Sequence, residues 1–148
     1  MNSNTMDRPI DILLVEDNPG DVRLTVEVLK ECKVRNKLHV ANDGVEAIAF
    51  LFRQDKYLHA PHPDLILLDL NLPKKDGHEV LAEIKKDPTL KHIPVVVLTG
   101  SAAGEDILKT YDLYANCYVT KPIDIEQFIM VIKSIKDFWL TIVKLPSE

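Results

Sequence analysis

The segment Asp64-Leu-Ile-Leu-Leu-Asp-Leu-Asn-Leu-Pro-Lys-Lys-Asp-Gly77 contains four consecutive apolar residues, Leu65 to Leu68, that end at the carboxylate of Asp69. A continuous apolar run of this length is typical of a parallel strand that is covered on both faces. Pro73 and Gly77 then indicate a loop. The segment therefore predicts a buried strand whose carboxyl end presents an acid.

Three further apolar runs end in groups suited to a phosphate or a divalent cation. They are Ile12-Leu-Leu-Val15 before Glu16-Asp17, Val95-Val-Val-Leu98 before Thr99, and Tyr118-Val119 before Thr120-Lys121. Taken singly, the two acids could cap a helix, the threonine could be an ordinary strand-end residue, and the lysine could be solvated. Because ligands bind outside the carboxyl ends of strands in open parallel sheets, the four ends together predict a single site.

Strand-like and helix-like patterns alternate five times along the chain. The predicted strands are Ile10–Val15, Leu38–Ala41, Leu65–Leu68, Val95–Leu98 and Cys117–Val119. This alternation predicts right-handed crossovers and a doubly wound α/β fold around a five-stranded parallel sheet.

The segments between and after the strands have helical spacing of apolar residues. In the first helix we expect Asn18 as the N-cap and Pro19 in the first turn. The third helix is expected to stop near Asp87-Pro88, and the short fourth helix lies around Glu105–Leu113. The predicted apolar faces are Val22, Val26 and Leu29 in helix one; Val45, Ile48, Ala49 and Phe52 in helix two; Val80, Leu81 and Ile84 in helix three; and Ile125, Phe128, Ile129, Ile132, Ile135 and Trp139 in helix five.

The composition of the 148 residues indicates one globular domain, with 46% hydrophobic and 28% charged residues. The net charge of −5 argues against nucleic-acid binding, which normally uses a basic patch. No apolar run approaches the roughly 20 residues of a membrane span, and no signal peptide is visible. Cys32 and Cys117 lack metal-ligand spacing and are typical of reduced thiols. We therefore expect a cytoplasmic protein that binds neither nucleic acid nor membrane.

The set formed by Glu16-Asp17, Asp69 with Pro73 and Gly77, Thr99, and Lys121-Pro122 closely resembles the receiver domain of two-component response regulators. The resemblance covers about residues 10 to 138 and implies a flavodoxin-like sheet with strand order 2-1-3-4-5. It divides the chain into a lead-in of residues 1–9, a receiver domain of residues 10–140 and an extension of residues 141–148.

The resemblance also implies a role for each site residue. Asp69 resembles the nucleophile that accepts a phosphoryl group and becomes an acyl phosphate. Glu16, Asp17, Asp69 and the backbone carbonyl of Asn71 would bind Mg²⁺, for which Mn²⁺ could substitute. Lys121 would contact the phosphate as a point charge.

Two further residues resemble the switch of the family. Thr99 would move to meet the phosphoryl group, and the aromatic ring of Tyr118 would then swing inward. The alternative for Tyr118 is a partly buried aromatic residue whose hydroxyl is satisfied locally. The implied output is a shift between two conformations after the phosphoryl group adds negative charge.

The predicted function is that of a single-domain response regulator that accepts phosphate from a partner histidine kinase. It would not be an enzyme in its own right, although it could catalyse its own phosphorylation and dephosphorylation. Its signal would go to an unidentified output protein or phosphotransfer protein.

Three alternative functions are weaker. A haloacid-dehalogenase phosphatase needs a second aspartate two residues after the nucleophile, where this chain has Asn71. A nucleotide-binding enzyme is disfavoured because the five glycines form no nucleotide-binding motif. A receiver that signals without phosphate usually lacks a site residue, and none is missing here.

The C-terminal region carries a second apolar stripe, formed by Val131, Ile135, Phe138 and Ile142. This stripe could fold back onto its own domain. We prefer the alternative, in which it forms a homodimer or partner interface. Residues 136–146, the Asn18–Asp21 turn and the long loop at residues 53–63 resemble stand-alone regulators paired with bacterial phytochrome kinases. His59 and His62 in that loop are expected to be solvated.

Overall fold

The computed structural model describes residues 9–31, 35–70, 72–99 and 117–120, together with Asp124 and Glu126. The elements in chain order are β1 (Ile10–Val15), α1 (Pro19–Glu31), β2 (Asn36–Ala41), α2 (Gly44–Leu51), a 3₁₀ turn (Asp55–Tyr57), β3 (Leu65–Asp69), α3 (Gly77–Lys86), β4 (Val95–Thr99) and β5 (Cys117–Thr120). The predicted fourth and fifth helices and the C-terminal stripe lie outside the described residues. Within the described part of the chain, no helix is long and apolar enough to span a membrane.

The five strands form one parallel sheet with the order β2-β1-β3-β4-β5. The predicted strands, the parallel sheet and the order 2-1-3-4-5 are therefore confirmed. The chain moves outward from β1 to β2 and then returns past β1 to β3, so the order reverses between β1 and β3. In sheets of this kind the crevice at such a reversal, outside the carboxyl ends of the strands, is the usual place for a ligand.

Alternate residues of the central strands point to opposite sides of the sheet, and helices cover both faces. Leu13 and Val15 of β1 pack with residues of α2 and α3, whereas Ile12 and Leu14 pack with α1. Each of these side chains is at most 1% exposed. Complete burial of such a side chain contributes roughly 1.5–3 kcal/mol. The unbroken apolar runs in the sequence therefore belong to strands with no solvent-facing side.

Each of the three α-helices in the described part of the chain begins with a side-chain cap. Asn18, Asp43 and Asp76 accept a hydrogen bond from the backbone N–H three residues ahead, at 3.0, 2.7 and 3.0 Å. These caps satisfy N–H groups that lack a partner within the helix. The predicted N-cap at Asn18 is confirmed, and α3 ends at Lys86, before the predicted stop at Asp87-Pro88.

The predicted apolar face of the second helix is wrong. Val45 and Phe52 are 54% and 37% exposed, whereas Ala47, Phe50 and Leu51 are buried. Helix α2 has apolar residues on nearly every side, so helical spacing fits more than one face. The inner face is selected by packing, since the ring of Phe50 lies 5.3 Å from the rings of both His39 and Tyr57.

The faces of the other two helices are closer to prediction. Leu29 of α1 is buried as expected, but Thr25 and Val28 are more deeply buried than Val22 and Val26. The true inner face of α1 is therefore rotated from the predicted one. The predicted face of α3, formed by Val80, Leu81 and Ile84, is fully buried and is confirmed.

Candidate functional site

The candidate site lies at the carboxyl ends of β1 and β3. These strands are adjacent, with Val15 opposite Leu68. The next residues, Glu16 and Asp69, are therefore acids at the same edge of the sheet. The backbone N–H of Glu16 donates to the carbonyl of Ala41 at 3.0 Å, which extends the pairing of β1 beyond its last strand residue. Asp69 is the final residue of β3 and lies opposite Leu98 of β4.

Glu16, Asp17 and Asp69 form an acidic cluster, in which one carboxylate oxygen of each residue lies within 4.8 Å of the others. Glu16 is 1% exposed and Asp69 is 2% exposed, whereas Asp17 is exposed. Carboxylates brought this close repel one another, and burial adds to the cost of their charge. A cation offsets both effects.

The donor set of the acidic cluster fits a hard divalent cation. All of its ligand atoms are carboxylate oxygens, the ligands that Mg²⁺, Ca²⁺ and Mn²⁺ prefer. The exposed position of Asp17 leaves one side of the cluster open to solvent, and Mg²⁺ usually retains several waters. His59 and His62 are both exposed and do not belong to this cluster, the metal-compatible group found among the described residues.

The turn after β1 holds the two neighbouring acids outside the following helix. Asn18 is the N-cap of α1, and its backbone N–H donates to Oε2 of Glu16 at 3.2 Å. This hydrogen bond orients Glu16 within the turn. Glu16 and Asp17 therefore do not serve as the cap of the first helix, and both carboxylates remain part of the acidic cluster.

The loop after β3 is packed tightly against the start of α3. The N–H of Gly77 donates to the carbonyl of Leu70 at 3.0 Å. A Cβ atom on Gly77 would come within 2.5 Å of the Asp69 carbonyl oxygen and 2.6 Å of the Leu70 Cα. A side chain at this position would displace the backbone that carries Asp69. Gly77, predicted only as a loop marker, is thus a structural requirement of the site.

The remaining predicted site residues are described only in part. Thr99 ends β4 opposite Thr120, and Tyr118 lies in β5 opposite Val97. Their side chains are outside the described part of the structure, as are the whole of Asn71 and Lys121.

A second set of contacts around the site was not predicted. Asp43 lies 3.4 Å from the ammonium of Lys74, and Gly44 packs against Lys75. The pKa of Asp43 is lowered, first by the hydrogen bond from the Glu46 N–H and then by Lys74. One sequence feature could have indicated this contact: Gly44 directly follows the capping Asp43, at a helix position where a better helix former would be expected.

The family model described as the response regulator receiver domain matches residues 12–133. The chain belongs to this family. Membership makes the protein a signalling component of the two-component type. The acidic cluster therefore lies at the ends of β1 and β3 of a receiver domain.

This receiver domain is similar over most of its length to several response regulators. Response regulator Rcp1 from Synechocystis sp. (strain PCC 6803) is 50% identical over 145 residues, which cover 98% of this chain and 99% of the relative. The phosphorylated cyanobacterial phytochrome response regulator RcpA is 53% identical with a TM-score of 0.78, covering 90% of this chain and 95% of RcpA. The Mn²⁺-bound form of Rcp1 is 52% identical with a TM-score of 0.77, covering 89% and 95% of the two chains.

Proposed function

We propose that Asp69 accepts a phosphoryl group from a partner histidine kinase in a reaction that depends on Mg²⁺. The observation that carries the proposal is the acidic cluster, in which Asp69 is buried beside Glu16 with one carboxylate oxygen of each residue within 4.8 Å. Such a cluster is suited to a divalent cation, and a relative of the chain has been solved with Mn²⁺ bound. We assign the metal ligands to the cluster and to the backbone carbonyl of Asn71.

The proposed chemistry is a displacement at phosphorus. A carboxylate oxygen of Asp69 forms a bond to phosphorus while the bond from phosphorus to the donor breaks, and the donor leaves with that electron pair. A bound Mg²⁺ supplies neutralisation of the charge on the phosphoryl oxygens. Lys121 is proposed to contact the same oxygens. The receiver thereby catalyses its own phosphorylation, which allows a small phosphodonor to replace the kinase.

The proposed switch connects the phosphoryl group to β4 and β5. Thr99 is assigned as the hydroxyl that meets the phosphoryl group, and Tyr118 as the aromatic residue that follows it. The position of Thr99 supports this assignment, since Leu98, the residue before it, lies opposite Asp69. Thr99→Ala should still be phosphorylated but should lose the difference in partner binding between the two forms. An unchanged difference would refute the route.

We propose a kinase of the phytochrome type as the partner, because RcpA is a phytochrome response regulator and shares 53% identity with this chain. Phosphotransfer from such a kinase should be faster than transfer from an unrelated histidine kinase, and equal rates would contradict the pairing. The output protein or phosphotransfer partner is a separate, unidentified molecule. We place the protein in the cytoplasm, which cell fractionation tests.

The proposed receiver domain spans residues 10–140, between a lead-in of residues 1–9 and an extension of residues 141–148. The family match over residues 12–133 supports this division. We propose that the C-terminal stripe, formed by Val131, Ile135, Phe138 and Ile142, mediates a homodimer. Light-scattering mass should then rise with concentration, and a monomer at every concentration would exclude the dimer.

Phosphorylation with acetyl phosphate tests the proposed function. Intact mass should show one added phosphoryl group on the wild type in the presence of Mg²⁺, and none after chelation. Asp69→Asn should remain unlabelled. Asp76→Asn is the matched control, because it makes the same charge change while asparagine still caps α3. Equal labelling of wild type and Asp69→Asn would overturn the assignment.

A further inference from the structure

The loop between β3 and α3 is held from two sides. On one side, the N–H of Gly77 donates to the Leu70 carbonyl at 3.0 Å, and the Lys75 ammonium lies 2.6 Å from Glu83 of α3. On the other side, the loop meets the first residues of α2. The described residues of the loop therefore lie between two helix starts, a few residues after Asp69.

The contact with α2 is made by close backbone packing at Gly44. A Cβ atom on Gly44 would overlap the carbonyl oxygen of Lys75 and lie 2.7 Å from its carbonyl carbon. Only glycine allows this approach, since any larger residue would push the loop and the helix apart. The residue before Lys75 also has an unusual backbone, because Lys74 has φ of 68°, in the left-handed region that residues with side chains seldom occupy.

The same contact includes a polar link between Asp43 and Lys74. One carboxylate oxygen of Asp43 caps α2 through the Glu46 N–H at 2.7 Å, and the other lies 3.4 Å from the Lys74 ammonium. Lys74 is 67% exposed, so solvent screens this ion pair and its own contribution is small. The packing at Gly44 is therefore the stronger part of the contact.

We propose that Asp43 and Gly44 are positioning residues for the metal site, because they fix the loop that follows Asp69 and thereby set the cation affinity of the acidic cluster. Mg²⁺ requires nearly ideal octahedral geometry with short bonds to oxygen, so a small displacement of the loop weakens binding. Residues that orient the ligands of a metal typically change its affinity by about 10–100-fold when they are altered. The inference rests on the proposed metal site.

Binding of Mn²⁺ without a phosphodonor tests the inference, with free Mn²⁺ measured by electron paramagnetic resonance. Gly44→Ala should lower the affinity about 10-fold. Asp43→Asn keeps an N-cap but loses the ion pair, and should lower the affinity about two- to five-fold. Glu27→Gln is the control for the charge change. Glu27 lies on α1, where its side chain is 63% exposed. The Mn²⁺ affinity of this variant should match that of the wild type.

A double-mutant cycle with Lys74→Met provides a test that does not depend on Gly44→Ala being folded. Long-range charge effects on the cation add, whereas a specific contact gives a coupling between the two positions. Asp43→Asn should therefore have less effect on Mn²⁺ affinity when Lys74 is already methionine, and strict additivity would overturn the role of the pair.

Failure of this inference can be distinguished from failure of the proposed function. If the wild type binds Mn²⁺ and folded Gly44→Ala binds it equally well, the positioning role is wrong while the metal site stands. If the wild type does not bind Mn²⁺, the proposed metal site fails and the inference fails with it.

Discussion

At the scale of single residues, the site depends on acids that the fold forces together. Asp69 and Glu16 are almost completely buried, yet both are carboxylates. Their sequence positions were predictable because each directly follows a run of apolar residues. The roles of Gly77 and Gly44 could not be predicted in the same way. Each is required by a close approach to another backbone segment, which is Asp69-Leu70 for Gly77 and the distant Lys75 for Gly44. The local sequence pattern does not encode such an approach.

Tyr57 offers a residue-scale test of the packing around α2. Burial raises its pKa to about 12, and the hydrogen bond to Glu46 acts in the same direction. The phenol is therefore more readily deprotonated in the unfolded chain, with an ordinary pKa of 10.0. The contribution of the Tyr57 phenol to the free energy of unfolding is complete below pH 10.0 and should be lost as the pH rises towards 12.

Two measurements check this behaviour of Tyr57. In the folded protein, phenolate absorbance should include one late step near the raised pKa that is absent from Tyr57→Phe. Unfolding experiments at increasing alkaline pH should show that the wild type loses stability faster than Tyr57→Phe. If the two proteins had the same alkaline titration and the same pH dependence of unfolding, the raised pKa of Tyr57 and its hydrogen bond to Glu46 would be contradicted.

At the scale of elements, α2 shows where sequence patterns stop being sufficient. The existence of the helix and its position between β2 and β3 were predicted, but its inner face was not. The stripe of Val45, Ile48, Ala49 and Phe52 has good helical spacing, and so does the observed inner face. Because nearly all sides of α2 are apolar, periodicity cannot choose between them. The choice is made by contacts with β2 and the 3₁₀ turn.

Phe50 in α2 and Phe52 at its C-cap test which face of the helix is buried. Phe50 is 5% exposed and packs in the core, whereas Phe52 is 37% exposed. Phe50→Ala should lower the free energy of unfolding by about 3–5 kcal/mol, and Phe52→Ala by less than about 1 kcal/mol. Urea denaturation of both variants measures the difference. A larger cost at Phe52 would restore the face that periodicity predicted.

At the scale of the whole molecule, the order 2-1-3-4-5 explains why distant residues form one site. The reversal between β1 and β3 makes these strands neighbours, and their carboxyl ends bring Glu16 and Asp17 beside Asp69. Alternating strand and helix patterns were enough to predict a doubly wound parallel sheet, whereas the strand order was implied by the resemblance to receiver domains. The rotation of α1 and the contact of α2 with the loop after β3 depend on packing details that the alternation does not specify.

Chemical identification of the phosphorylated residue shows whether Asp69 is the phospho-acceptor. Borohydride reduces an aspartyl phosphate to homoserine, so wild type treated with acetyl phosphate and Mg²⁺ can be reduced, digested and sequenced by tandem mass spectrometry. We expect homoserine at position 69 and aspartate at position 17, with no conversion when Mg²⁺ is chelated. Conversion at another acid, with Asp69 unchanged, would contradict this expectation.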